Sequence, residues 1–218
     1  MDFHNILITV LVYAIPVIFA ITLHEAAHGY VSRRFGDSTA YMLGRVTLNP
    51  VKHIDPLGTI VIPIVTLALS PFMFGWAKPV PVNFSNLKPL RPGMFWVAAA
   101  GPGSNLAQLV VWALVAMVLV HTVDPKGLVG PFWLSVADAG IRVNIMFALL
   151  NLLPILPLDG GRMVTSVLPG RLSLAYQGTE RFGMIILLVL LFTGAIGFVL
   201  SPLFRGIYTQ TLKAIGLS

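Results

Sequence analysis

Five stretches of this chain are apolar over nearly the full length of a helix that crosses a bilayer, which takes about 20 residues. They are 6–23, 57–74, 94–121, 141–158 and 183–200, and a weaker run follows at 203–217. Charged residues make up only 10% of the chain, against about 25% in a typical soluble domain. That is too little charge to cover a water-facing surface. The expected fold class is an all-α polytopic membrane protein, a helical bundle forming one domain over 1–218, with no room for a sizeable soluble domain.

Punctuation between the runs refines this picture. Residues 6–35 read as one long helix that Gly36 and Asp37 end. Residues 39–50 (TAYMLGRVTLNP) mix Thr, Tyr and Val with polar residues, a pattern that suits short membrane-associated β-strands. Residues 76–92 carry Pro79, Pro81, Pro89 and Pro92, so an extended segment is expected there. A helix is expected from Gly93 to His121 and another from Phe132 toward Pro154, broken at 155–162. The first run lacks a basic flank and a cleavage site, so it reads as a membrane helix rather than a signal peptide.

The net charge is +6 and the pI about 10.0. In a soluble protein that would suggest nucleic acid, but here the basic residues lie mostly in loops between apolar runs. Anionic lipid headgroups and membrane topology explain them better, and no nucleic-acid partner is expected. Cysteine is absent, so any metal must be held by His, Asp or Glu.

The motif His24-Glu25-Ala26-Ala27-His28 ends the first apolar run. Residues four apart on a helix share a face, so both imidazoles can reach one zinc ion with Glu25 beside them. A chance pattern is a poor explanation, because ionisable groups inside a membrane segment cost roughly 2.5–3.5 kcal/mol each on insertion scales and mark function. A third protein ligand is needed. Asp159, in Asn151-Leu-Leu-Pro154-Ile-Leu-Pro157-Leu-Asp159-Gly160, is the candidate. Its bland reading is a helix-ending Asp-Gly turn.

The pairing of H-E-x-x-H in one membrane helix with N-x-x-P-x-x-x-x-D-G in a later one resembles the site-2 protease family of intramembrane zinc metalloproteases. The resemblance covers about Ile6 to Arg181. It implies one Zn²⁺ per chain held by His24, His28 and Asp159, with Glu25 as general base. It also implies that Asn151 holds the substrate backbone or the developing oxyanion. The run 98–105 (AAAGPGSN) resembles the family's G-x-x-x-N element, which places Gly101 and Asn105 near the active site. The alternative for Gly101, Gly103 and Ser104 is close helix packing. Asn144 reads first as a packing hydrogen bonder, and Arg142 as the helical ion-pair partner of Asp138. Lys78, Val80 and Val82 resemble part of the family's membrane-associated hairpin, where a substrate would add as a strand; a stiff surface loop is the competing reading. His4, His53 and His121 are expected at the interface. No PDZ or nucleotide-sensing module is expected.

A shared metal requires the His pair and Asp159 at one depth, hence an odd number of crossings between their helices. Run 57–74, with Pro63 and Pro71, is therefore expected to be re-entrant rather than spanning. One crossing would gather Arg33, Arg34, Arg45, Lys52, Lys78, Lys88, Arg91, Arg162, Arg171 and Arg181 on the zinc side, which the positive-inside rule assigns to the cytoplasm of a bacterial-type cell membrane. The expected partners are the bilayer and a membrane-protein substrate. The rival readings are a metal-ion transporter, which needs ligands spaced along a path, and an inactive scaffold that binds membrane proteins.

Overall fold

A run of 32 residues with a single proline and no acid before Glu25 has little choice but helix in an apolar setting, and α1 spans Phe3–Arg34. Arg33 and Arg34 complement the negative end of its dipole. Gly36, at φ 99°, turns the chain out, with N–H groups of Gly36 and Asp37 closing on the Arg33 and Ser32 carbonyls. The computed structural model describes residues 3–61, 77–124, 127 and 129–217. After α1 come α2 (Thr39–Met42), α3 (Leu90–Thr122), α4 (Val129–Asn151), α5 (Asp159–Val167), α6 (Gly170–Gln177), α7 (Glu180–Phe192) and α8 (Ala195–Ala214).

Three helices, α1, α3 and α4, are long and apolar enough to cross a membrane. Their packing inverts that of a soluble protein. Many of the fully buried residues are small, among them Ala20, Ala98, Ala137, Ala139 and Ala148, beside the larger Val136, Ile141 and Ile145, while Phe192 and Phe198 of the later helices are 71% and 85% exposed. Small residues inside let helices approach closely where lipid removes any hydrophobic drive to associate. Gly140 makes the same point, since Trp112 of α3 lies flat in the space a methyl there would take. The protein is an integral membrane protein.

Helix directions follow from the contacts. Val12 of α1 packs with Val136 and Ala139 of α4 and near Trp112 of α3. Further along, the Ala20 carbonyl meets Asn105 of α3, which bonds Asn144 of α4. Numbers rise together in α1 and α4 and fall in α3. Helices α1 and α4 thus run parallel, with α3 antiparallel between them, as a shared metal requires. The expected re-entrant run 57–74 lies outside the described residues from 62 onward; Pro56–Val61 forms a short π-helical turn.

Several expectations need correction. No strand occurs among the described residues. Thr39–Met42, read as strand, is helical. Residues 77–83 are extended, and among the described residues their backbone groups pair with side chains and a loop carbonyl. The apolar run 183–200 is two helices, because Gly194 sits at φ 76°, a conformation hydropathy cannot reveal. Helices α6 and α7 form a broken apolar pair bent by 60°. Helix α7 and the start of α8 bury Leu187, Ile196 and Leu200 against Leu149, Leu150 and Leu153 at the end of α4. Helix α8 continues along α4, where Tyr208 donates to Asp138 and accepts from Arg142. The expected Asp138–Arg142 ion pair is present at 2.6 Å.

Candidate metal centre

Each imidazole is fixed by a bond at its far nitrogen. His28 Nδ1 lies 2.7 Å from the Val97 carbonyl, which can only accept, so Nδ1 carries the proton. His24 Nδ1 lies 2.8 Å from Asn105 Oδ1. The orientation of that amide is forced by its neighbours. Asn105 Nδ2 donates to the Ala20 carbonyl and to Asn144 Oδ1, and Asn144 Nδ2 donates to the Gly140 carbonyl. Two carbonyls that cannot donate thus set every proton in the chain Gly140–Asn144–Asn105–His24. Both Nε2 atoms are left with bare lone pairs, the state a metal ligand requires.

Those lone pairs converge. The two Nε2 atoms are 3.1 Å apart, and Asp159 brings Oδ2 to 3.2 Å from His24 Nε2 and Oδ1 to 3.4 Å from His28 Nε2. Among the described residues, this is the group of His, Asp or Glu side chains that could hold a metal ion. The fit is good on three counts. Zinc bonds of about 2.0–2.1 Å in a tetrahedron put ligand atoms roughly 3.3 Å apart, close to the Nε2–Nε2 separation and to the distance from each Nε2 to its nearer Asp159 oxygen. Two imidazoles and a carboxylate suit a borderline cation such as zinc. Asp159 Oδ2 is buried without a hydrogen-bond donor. The near wall is Gly101, whose missing methyl would stand 2.5 Å from His28 Nε2 and from His24 Cε1.

Asp159 reaches this point because the chain between α4 and α5 is clasped. A methyl on Gly160 would strike the Leu152 and Leu153 carbonyls, and one on Gly161 would strike Ile155 and Leu156. Asp159 therefore opens α5 rather than closing α4. Arg162, one turn on, pairs with Glu180 of α7 at 3.0 Å and stacks over Phe84.

Glu25 is partly buried, and its Oε2 accepts the Val80 N–H at 2.7 Å. Residues 77–83 thus form a strap across the end of α1. The Lys78 N–H donates to the His53 carbonyl, and Arg45 donates to the Lys78 and Pro79 carbonyls. Asp37, wholly buried, accepts from the Asn83 N–H, the Asn86 side chain and Thr39. Burial pushes the Asp37 carboxyl up, but these bonds outweigh it and hold it below the ordinary carboxylate value. The Lys78 and Val80 N–H groups and the Lys78 carbonyl are thus engaged by described residues of the protein. Val82 is partly buried beside them.

Other expected residues fall as follows. Asn105 is fully buried with its amide committed to His24, Asn144 and Ala20, so it holds a ligand in place and has no free donor for a substrate. Asn151 is partly buried at the end of α4, with Nδ2 on the Phe147 carbonyl. His53 is 1% exposed and bonds the Thr47 carbonyl, so it is a core residue rather than an interfacial one. Sequence reasoning passed over Asp37 and Gln108. The latter sits in an apolar helix like Asn105 and carried the same signal.

Comparison with known proteins agrees with the geometry. The Bacillus subtilis protein named "Putative zinc metalloprotease YwhC" is 37% identical over 207 residues, covering 91% of this chain and 88% of YwhC. Rip2 of Mycolicibacterium smegmatis, named in the same terms, is 30% identical over 181 residues, or 82% of this chain and 66% of Rip2. Rip3 of Mycobacterium tuberculosis, also so named, is 29% identical over 203 residues, 89% of this chain but 41% of Rip3. No family model and no solved structure matches the chain. Similarity to YwhC over nearly the whole length of both proteins, joined to a two-histidine, one-aspartate cluster, makes this chain a member of the zinc metalloprotease family to which YwhC belongs, with zinc as its cofactor.

Proposed function

We propose that the protein is an intramembrane endopeptidase of the site-2 protease type, which cuts membrane-protein substrates within or beside the bilayer. One observation carries the reading: His24, His28 and Asp159 converge between apolar helices with Glu25 next in sequence to the first ligand. His24, His28 and Asp159 would hold the metal. When bound, zinc supplies a Lewis acid that makes a water acidic enough to ionise near neutral pH and polarises a peptide carbonyl. Glu25 takes the proton of the attacking water on its carboxylate and returns it to the leaving amine nitrogen. Asn105 and the Val97 carbonyl keep the imidazoles in the tautomer that bonds through Nε2. Asn151, at the end of α4, is the candidate to steady the substrate carbonyl.

The metal-holding residues lie toward the end of the bundle where Arg33 and Arg34 close α1 and Arg91 opens α3. The positive-inside rule supports placing that end toward the cytoplasm. A transporter would need a series of ligand sites, and the described residues supply one cluster.

The test compares wild type with Glu25→Gln in membranes, measuring bound zinc and the membrane proteins that accumulate uncut. The glutamine variant is expected to keep zinc and to lose cleavage by at least about 10²-fold. Cleavage at the wild-type rate would refute the reading.

A further inference from the structure

Gln108, one turn beyond Asn105 on α3, is 7% exposed, and neither Oε1 nor Nε2 has a hydrogen-bond partner among the described residues. An unpaired buried amide destabilises a fold, and leucine would fill the same space in this apolar helix. Gln108 lines a groove of about 450 Å³ between α1 and α3, together with Leu23, Ala27, Ser104 and Val111. Through Ala27, Tyr30 and Ser104 this groove continues into a second, of about 560 Å³, that reaches Trp96. At a rise of 1.5 Å per residue, Trp96 to Val111 is about 22 Å, room for roughly six or seven extended residues. Two of its lining residues, Ala27 and Ser104, are next in sequence to His28 and Asn105 of the metal centre.

Its occupant must both like apolar walls and satisfy an amide. A lipid chain does only the first. An intact helix does the same, because its backbone groups are paired internally. An unwound polypeptide offers one donor and one acceptor per residue, the complement of a glutamine side chain. We propose that this groove seats an unwound stretch of the substrate polypeptide and that Gln108 hydrogen-bonds one of its peptide units. The proposal rests on the peptidase reading for the nature of the guest and adds where that guest lies.

The chain has no cysteine, so Ala107→Cys gives a unique handle on the groove wall, and Val118→Cys gives a control on the same helix outside it. Each is labelled with a benzophenone in the zinc-loaded Glu25→Gln protein, which binds without cutting, in phosphatidylcholine vesicles. The probe is a biotinylated, 24-residue Leu/Ala peptide with a central Gly-Asn-Pro break. Capture is expected at 107 and not at 118. Half-saturation should rise about tenfold in Gln108→Leu and in the volume-matched Gln108→Met, while the unfolding temperature holds or rises. A peptide without the break should bind at least tenfold more weakly. Equal capture with Gln108 intact and in both variants, or labelling of lipid alone, overturns the proposal. Capture is read without cleavage, so lost capture with intact cleavage sinks the groove alone. Gln108-dependent capture without cleavage of any membrane substrate supports the groove and sinks the peptidase reading.

Discussion

Replacing Gly101 with alanine adds one methyl where α3 meets both imidazoles. That carbon would lie 2.5 Å from His28 Nε2 and 2.6 Å from His24 Nε2, whereas ordinary contact begins at 3.4 Å. The rings must therefore retreat by about 0.9 Å, several times the roughly 0.2 Å that metal-ligand distances tolerate. Neither ring is free to do so, because Asn105 holds one and the Val97 carbonyl the other. The helix itself gains, alanine being favoured over glycine by about 1 kcal/mol in a helix interior. The expected phenotype is a folded protein with zinc affinity reduced by about 100-fold or more. Competition against a chromophoric chelator measures the affinity, and circular dichroism measures the fold. Gly103→Ala is the control, since nothing lies within 4 Å of the methyl it would add. Zinc binding by Gly101→Ala within about threefold of wild type would show that the imidazoles are not wedged against α3, and the argument would fail.

Asn105→Ala strips the partner from His24 Nδ1 and from Asn144 Oδ1. Zinc affinity is expected to drop about 10- to 100-fold, read by the same competition. Asp37→Ala frees the Asn83 N–H and the Asn86 amide, so amide exchange over 80–86 should quicken at neutral pH. The wild-type protein gives the matching pH signature. Because the Asp37 carboxyl is held below its unfolded value, its contribution is complete above about pH 4 and fades as pH falls through the lowered folded value. Exchange over 80–86 that is indifferent to acid would contradict this. Gly140→Val drives a branched side chain into the ring of Trp112 and should lower stability by about 1–3 kcal/mol, measured as a fall in the thermal midpoint.

The candidate metal cluster was legible because metal ligation leaves rigid spacing. His24 and His28 had to share a helical face, and Asp159 was the late carboxylate beside an apolar run. The three long helices were legible for a similar reason, since apolar length has one solution in a bilayer. What escaped was the identity of partners. An asparagine in an apolar helix announces that it needs hydrogen bonds but not whether they go to a substrate or to His24. Thr, Tyr and Val in 39–50 carry strand propensity, yet tertiary packing around Ala40 overrides it. The extended segment at 77–83 was foreseen from its prolines, whereas its bonds among the described residues, to Glu25, Asp37, Arg45 and the His53 carbonyl, had no signal in the sequence. The break at Gly194 is a matter of one backbone angle inside an otherwise uniform apolar run.

Because many bulky side chains point outward while alanines and glycines recur at the helix contacts, the two faces of each long helix answer to different pressures. Outward positions can be resized to suit a thicker, thinner or stiffer bilayer with no effect on the spacing between helices. The inward position at Gly101 has no such latitude, since a single added carbon there would press on both imidazoles that hold the metal. Adaptation to a new lipid environment thus falls mainly on the outer coat, and the metal centre can be carried unchanged from one membrane to the next.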